Sequence, residues 1–187
     1  MNVLHAFANE DQRSTWLEPR FDGLIRSGWA MSESEELLAG REPGEIVATR
    51  VGTDFLLNGR MNFVAGIADS RCAFFALLAQ TSPPRAHSPA EQSVFLVPCN
   101  TPGISIEQST VSHGYLPQLR LSPVTLSDVR IGQTNMIGLQ GQGATILATR
   151  LRLGRINRAM RSLGMADRAL SNVTHQENPD ESAKIWL

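Results

Sequence analysis

Between Glu45 and Ile131 the apolar residues recur at the spacing of strands, and at Gly138 the spacing changes to that of a helix. This change of period limits the chain to a sheet-forming body with helical flanks. EIVATRVGTDFLLNGRMNFVAG predicts two strands around a turn at Val51-Gly52-Thr53-Asp54, then a tight turn at Asn58-Gly59. CAFFALLAQT is a continuous apolar run. It admits a helix, but its short length and the polar loop TSPPRAHSPAEQ after it favour a strand. SVFLVPCNTPGISIEQ reads as strand, Pro/Gly turn, strand, and LRLSPVTLSDVRI alternates with period two. Several short strands separated by turns predict an antiparallel barrel or sandwich.

The flanks read differently. Residues 2–26 carry Val3, Leu4, Phe7, Trp16, Leu17 and Leu24 at mixed helical spacings, with Asn9 placed to cap a second helix and Pro19 interrupting the pattern. GLQGQG predicts a turn that opens a long helix. It has the spacing of neither a dinucleotide-binding nor a P-loop glycine motif. Along that helix Ile146, Leu153, Ile156, Met160, Leu163 and Leu170 fall close to one face, and Arg150, Arg152, Arg158 and Arg161 take others. The end, THQENPDESAKIWL, reads as a frayed tail.

Composition removes several classes of function. Of 187 residues, 42% are apolar and 19% charged, as in globular domains. A net charge of −1 gives no basic field for nucleic acid, and the helix arginines lack interleaved aromatic residues. No apolar run is long enough to span a membrane, and the first residues carry acids rather than a secretory core. These features point to the cytoplasm and leave an organelle open. Cys72 and Cys99, far apart in sequence, are expected to be reduced and buried. His5, His87, His113 and His175 show no metal-ligand spacing, so no metal is expected.

Six stretches, in order, carry a resemblance: MNVLHAFANEDQRSTWLEP, GWAMSE, NGRMNFVAGIADSRCAF, SVFLVPCNTPGISI, LSDVRIGQTNMIGLQGQG and RLGRINRAMRSLGMADRAL. Together they cover nearly the whole chain to about residue 171, and they resemble the middle of an acyl-CoA dehydrogenase. The nearest likeness is to the subgroup that can be fused to a phosphotransferase-like domain. The resemblance implies an α+β, mainly β fold: an antiparallel middle β-barrel flanked by an N-terminal helical remnant and one long C-terminal helix. The division it implies is 1–26 for the remnant, 27–137 for the barrel and 138–187 for the first bundle helix plus tail. It further implies FAD as cofactor, an acyl-CoA thioester as substrate oxidised to the 2,3-enoyl-CoA, and an electron-transfer flavoprotein as acceptor. A homo-oligomer, or a separate chain supplying the C-terminal helical bundle, would complete the site.

Carried across residue by residue, the resemblance places Trp29, Met31 and Ser32 against the isoalloxazine. Phe63 stands where the family usually has Trp, and Ala65 where it has Thr or Ser near flavin N5. Leu38, Ala39 and Gly40 replace the small hydroxyl-bearing loop that meets the ligand, so Leu38 falls at the substrate contact. Ser34 replaces the usual proline after Glu33. Arg155 matches an arginine near the acyl-CoA site. Gly154 stands where some branches carry the catalytic glutamate, so no catalytic residue is assigned.

Taken alone, Trp29, Met31 and Phe63 also fit ordinary core packing, Ser32 and Glu33 a helix cap, and Arg155 a solvated helix arginine. Two functions follow. One is a flavoprotein of acyl-CoA dehydrogenase type, truncated and inactive alone. The other is a non-catalytic fragment or binding module that has lost the flavin and exposes the apolar face of its long helix. Trp29, Met31, Ser32 and Arg155 favour the first, and Leu38 and Ala65 the second.

Overall fold

The computed structural model describes residues 2–31, 46–83, 90–107, 111–112 and 120–177. The chain divides into two compact units, Met1–Leu147 and Ala148–Leu187.

The first unit opens with α1 (Asn2–Phe7), α2 (Glu10–Gln12), a π-helical turn (Arg13–Leu17) and α3 (Glu18–Phe21). Asn9 caps α2 as its sequence predicts. Its side-chain oxygen accepts from the Gln12 N–H at 2.8 Å, and its own N–H donates to Gln12 Oε1 at 3.2 Å. Pro19 does not break the run. Lacking an N–H, it sits in the first turn of α3, directly after the π-helical turn in which the Glu18 N–H reaches back to Arg13 O. The helices are tied to the sheet by Gln12, whose Nε2 donates to Thr134 O at 2.7 Å and Met136 O at 2.9 Å. Trp16 packs on Phe74 with ring centroids 4.8 Å apart.

Among the described residues nine strands follow: β1 (Arg26–Ala30), β2 (Ile46–Val51), β3 (Asp54–Ala65), β4 (Cys72–Ser82), β5 (Glu91–Pro98), β6 (Ile104–Ile106), β7 (Val111–Ser112), β8 (Arg120–Gly132) and β9 (Met136–Ile137). They form one sheet in the order β6-β8-β3-β1-β4-β5-β9, with β2 paired to β3 and β4, and β7 paired to β8. CAFFALLAQT is indeed a strand, buried on both faces. Its inward face joins Phe55, Leu57, Phe95, Val97 and Val129 in the core, where Phe55 and Phe95 meet edge to face at 5.1 Å.

Three details depart from the sequence reading. The sheet is mixed, because β1 and β2 run parallel to β4. Among the described residues it is also open, with no pairing between β6 and β9. Both points qualify the antiparallel barrel, while the mainly β fold class stands. Asn58-Gly59 makes no turn. It lies inside β3 at a register irregularity against β8, with Gly59 at φ +139°. The Asn58 side chain is taken up by Asp128, donating to its carboxylate at 3.0 Å and accepting from its N–H at 2.8 Å.

GLQGQG is the expected helix-opening turn. Gly138 and Gly141 have φ of +67° and +83°, which suit glycine. The next glycine begins α4 (Gly143–Glu177), which runs on into the second unit. Of the predicted apolar face, Ile146 belongs to the first unit and is fully buried. Ile156, Met160, Leu163 and Leu170, in the second unit, are exposed along α4. The tail 178–187 lies outside the described residues.

Candidate functional site

Strands β1 and β2 occupy a single lane of the sheet, end to end, between β3 and β4. Ala30 pairs with Leu77 and Val47 with Gln80. Between those two pairs β4 advances only by Leu78 and Ala79, and residues 32–45 lie outside the described residues. On the other side, Trp29 faces Ala65 and Ile46 faces Gly59, so Arg60–Val64 of β3 border the same interval. The paired ends Ala30 and Ile46 thus bring the two flanks of residues 32–45 to one place between β3 and β4.

The residues around this place alternate in burial. Gly28 and Ala30 face inward, and Val64 is fully buried. Trp29, Phe63 and Ala65 therefore take the opposite face of the sheet. Trp29 is half-buried and flanked by two small register partners, Ala65 on β3 and Ala76 on β4. Phe63 is 67% exposed, at an irregularity where Asn62 and Phe63 fall out of register with β8. Met31, half-buried, follows directly after β1. This gives an apolar strip with two aromatic side chains, of which Phe63 is exposed, while Ala76 beside Trp29 is buried. It can receive a planar aromatic group by stacking. Ala65 offers no side-chain donor to such a group.

Of the residues expected at the site, Trp29 and Ala65 come together directly. Phe63 stands two positions along the same strand, and Met31 two positions along the lane. Ser32 and Leu38 lie outside the described residues, as do Glu33, Ser34, Ala39 and Gly40. Arg155 belongs to the second unit and is exposed on α4. Among the described residues, no group of three or more His, Cys, Asp or Glu side chains could hold a metal.

Sequence reasoning missed two features. Ala76 was hidden inside a run of large residues, and only the parallel register with β1 gives it meaning. The other feature is the clasp at the start of the lane. The turn between β3 and β4 wraps the first residue of β1, whose N–H donates to Arg71 O at 2.8 Å. Asp69 accepts from the Arg71 N–H at 2.9 Å and pairs with the Arg71 and Arg26 guanidinium groups, each at 3.2 Å. The side-chain hydrogen bond from Arg71, then the bond from its N–H, hold the Asp69 carboxyl below its ordinary value.

No family model matches the chain. It is 38% identical over 176 residues to the protein named probable acyl-CoA dehydrogenase FadE2 of Mycobacterium tuberculosis, covering 94% of this chain and 43% of that one. It is 31% identical over 172 residues to acyl-CoA dehydrogenase family member 11 of Homo sapiens, covering 91% of this chain and 22% of that one. The chain thus spans less than half the length of either relative. The solved structure of butyryl-CoA dehydrogenase from Megasphaera elsdenii superposes with a TM-score of 0.78 at 23% identity, over 93% of this chain and 44% of that one, a likeness of fold.

Proposed function

Since the chain belongs to the acyl-CoA dehydrogenase family and spans less than half the length of the relatives it matches, we propose that it supplies the flavin-facing wall of an FAD-dependent acyl-CoA dehydrogenase. The observation that carries this reading is the register of Trp29 between Ala65 and Ala76, next to the end of β1 and on the side of the sheet that Phe63 shares. Trp29 and Phe63 would hold the isoalloxazine by its faces and edge, and Met31 and Ser32 would meet it beyond the end of β1. When bound, FAD supplies an acceptor for the hydride that leaves the acyl β-carbon. The chain's own residues orient that ring and keep water from one side of it. Leu38 and Arg155 are the proposed contacts of the acyl-CoA thioester.

The division into 1–26, 27–137 and 138–187 belongs to the same reading, as do a homo-oligomer or bundle-supplying chain and an electron-transfer flavoprotein as acceptor. No residue of this chain is proposed as the base that removes the α-proton, so the purified chain is expected not to reduce an artificial acceptor with acyl-CoA. Among the described residues, no helix is long and apolar enough to cross a membrane.

A second reading, a module of the same fold without flavin chemistry, is favoured by Ala65, which puts a methyl where a hydroxyl would bond the ring. The visible spectrum separates the two. The purified chain is given excess FAD and desalted. Retained flavin absorbance supports the first reading, and a flat spectrum overturns it in favour of the second.

A further inference from the structure

The two cysteines are 27 positions apart, yet their Sγ atoms lie 3.7 Å from each other. Neither is in a disulfide. Strict alternation would separate them. Phe74 pairs with Pro98, and the Cys99 N–H donates to Ala73 O, so Ala73 stands opposite Cys99 and Cys72 should point to the other face. The register of β4 against β1 slips at this point: Arg26 pairs with Cys72 but Ser27 with Phe74, leaving Ala73 as an extra residue. A bulge changes the phase of alternation, and here it turns Cys72 toward Cys99. The expectation of reduced, buried thiols holds for Cys72 and is corrected for Cys99 in its burial alone. They are neighbours, and Cys99 is only half-buried.

We propose that Cys72 and Cys99 are a redox pair that a hydroperoxide converts to an intramolecular disulfide. The Cys72 thiolate attacks the distal peroxide oxygen. The O–O bond breaks, the leaving oxygen takes a proton to give water or an alcohol, and Cys72 becomes a sulfenic acid. The Cys99 sulfur then attacks the Cys72 sulfur, the S–O bond breaks, and the departing hydroxide takes the Cys99 proton to leave as water. The two thiols together lose two electrons, and the peroxide is reduced by two.

The surroundings set the order of events. Cys99 donates its S–H to Cys72, which lowers the Cys72 thiol below its ordinary value, with a smaller contribution from the Gly28 N–H. The same hydrogen bond, with burial, pushes the Cys99 thiol far up. The hydrogen bond that Cys72 accepts from Cys99, and its place at the first residue of β4, make Cys72 the nucleophile and Cys99 the resolving thiol. Cys72 keeps 8% of its surface exposed at the strand end next to the exposed Arg71, a narrow approach that suits a small oxidant. The pair joins β4 to β5 and does not depend on flavin being bound.

The test treats the full chain with hydrogen peroxide and reads whole-protein mass and free thiols. The expected product is a monomer that has lost two hydrogen atoms and both thiols, reversed by dithiothreitol. Cys99→Ser is expected to stop at a sulfenic acid on Cys72 that dimedone captures. Cys72→Ser is expected to consume peroxide about tenfold more slowly than the unaltered chain. Oxygen addition without loss of hydrogen in the unaltered chain, or disulfide-linked dimers instead of monomers, would overturn the proposal. The mass of the unaltered chain decides the matter even if a variant fails to fold.

Discussion

Trp29 and Ala65 stand directly opposite each other across β1 and β3, and Ala76 closes the other side of the indole. The ring is therefore bordered by methyl groups, and the surface it offers is set by two strands rather than by a loop. Trp29→Ala is expected to weaken FAD binding roughly tenfold, the scale of a lost aromatic contact. Titration of flavin fluorescence reads this directly, and an unchanged affinity would remove Trp29 from the site.

Gly143 begins α4 against the backs of β4 and β5. A Cβ there would lie 2.6 Å from Gln92 O and 2.8 Å from Leu78 Cδ1. The carbonyl belongs to a paired strand and cannot retreat cheaply. Gly143→Ala is expected to destabilise the fold by about 1–3 kcal/mol, the usual cost of overpacking. Chemical denaturation measures it, and a neutral result would mean that α4 does not seat on the sheet this closely.

Asp69 makes stability depend on acid. Its carboxyl is held below the ordinary 3.8 by the Arg71 hydrogen bonds. A carboxyl depressed in the folded state contributes stability that is present above the unfolded value and fades as pH falls through the folded value. Asp69→Asn should therefore melt below the parent chain at neutral pH, and the gap should close as pH drops beneath 3.8. A gap that stays constant through the acid range would show that the Asp69 charge is not what clasps the turn.

Ser122 is fully buried opposite Val64, and among the described residues its hydroxyl has no hydrogen-bond partner. A hydroxyl stripped of water without a partner is a net cost. Ser122→Ala is expected to raise stability by about 1 kcal/mol, visible as a higher melting temperature. A loss of stability would reveal a partner for that oxygen.

What could be read from sequence follows the range of the interactions involved. The strand CAFFALLAQT, the capping residue Asn9 and the helix-opening turn GLQGQG are decided by neighbours within a few positions, and each lies where its residues predict. Asn58-Gly59 failed as a turn because its preference was overruled by Asp128, seventy positions away, which absorbs the Asn side chain within a continuous strand. The residues proposed to face a flavin were visible only through family resemblance. Nothing local marks Trp29 as different from a core tryptophan until its register with Ala65 and Ala76 is known. The meeting of Cys72 and Cys99 had no local signal either, since it depends on one extra residue between two strands.

The shared lane of β1 and β2 has a consequence for how such a protein can change. Ala30 is anchored to Leu77 and Ile46 to Gly59, so both strands of the lane are fixed by pairing at these ends. Because one lane carries two strands, an insertion or deletion inside β3 or β4 would shift two neighbours at once, and each would lose the partner that its side chains fit. Ala65 lies on such a strand, where every exchange must first satisfy its register partner Trp29.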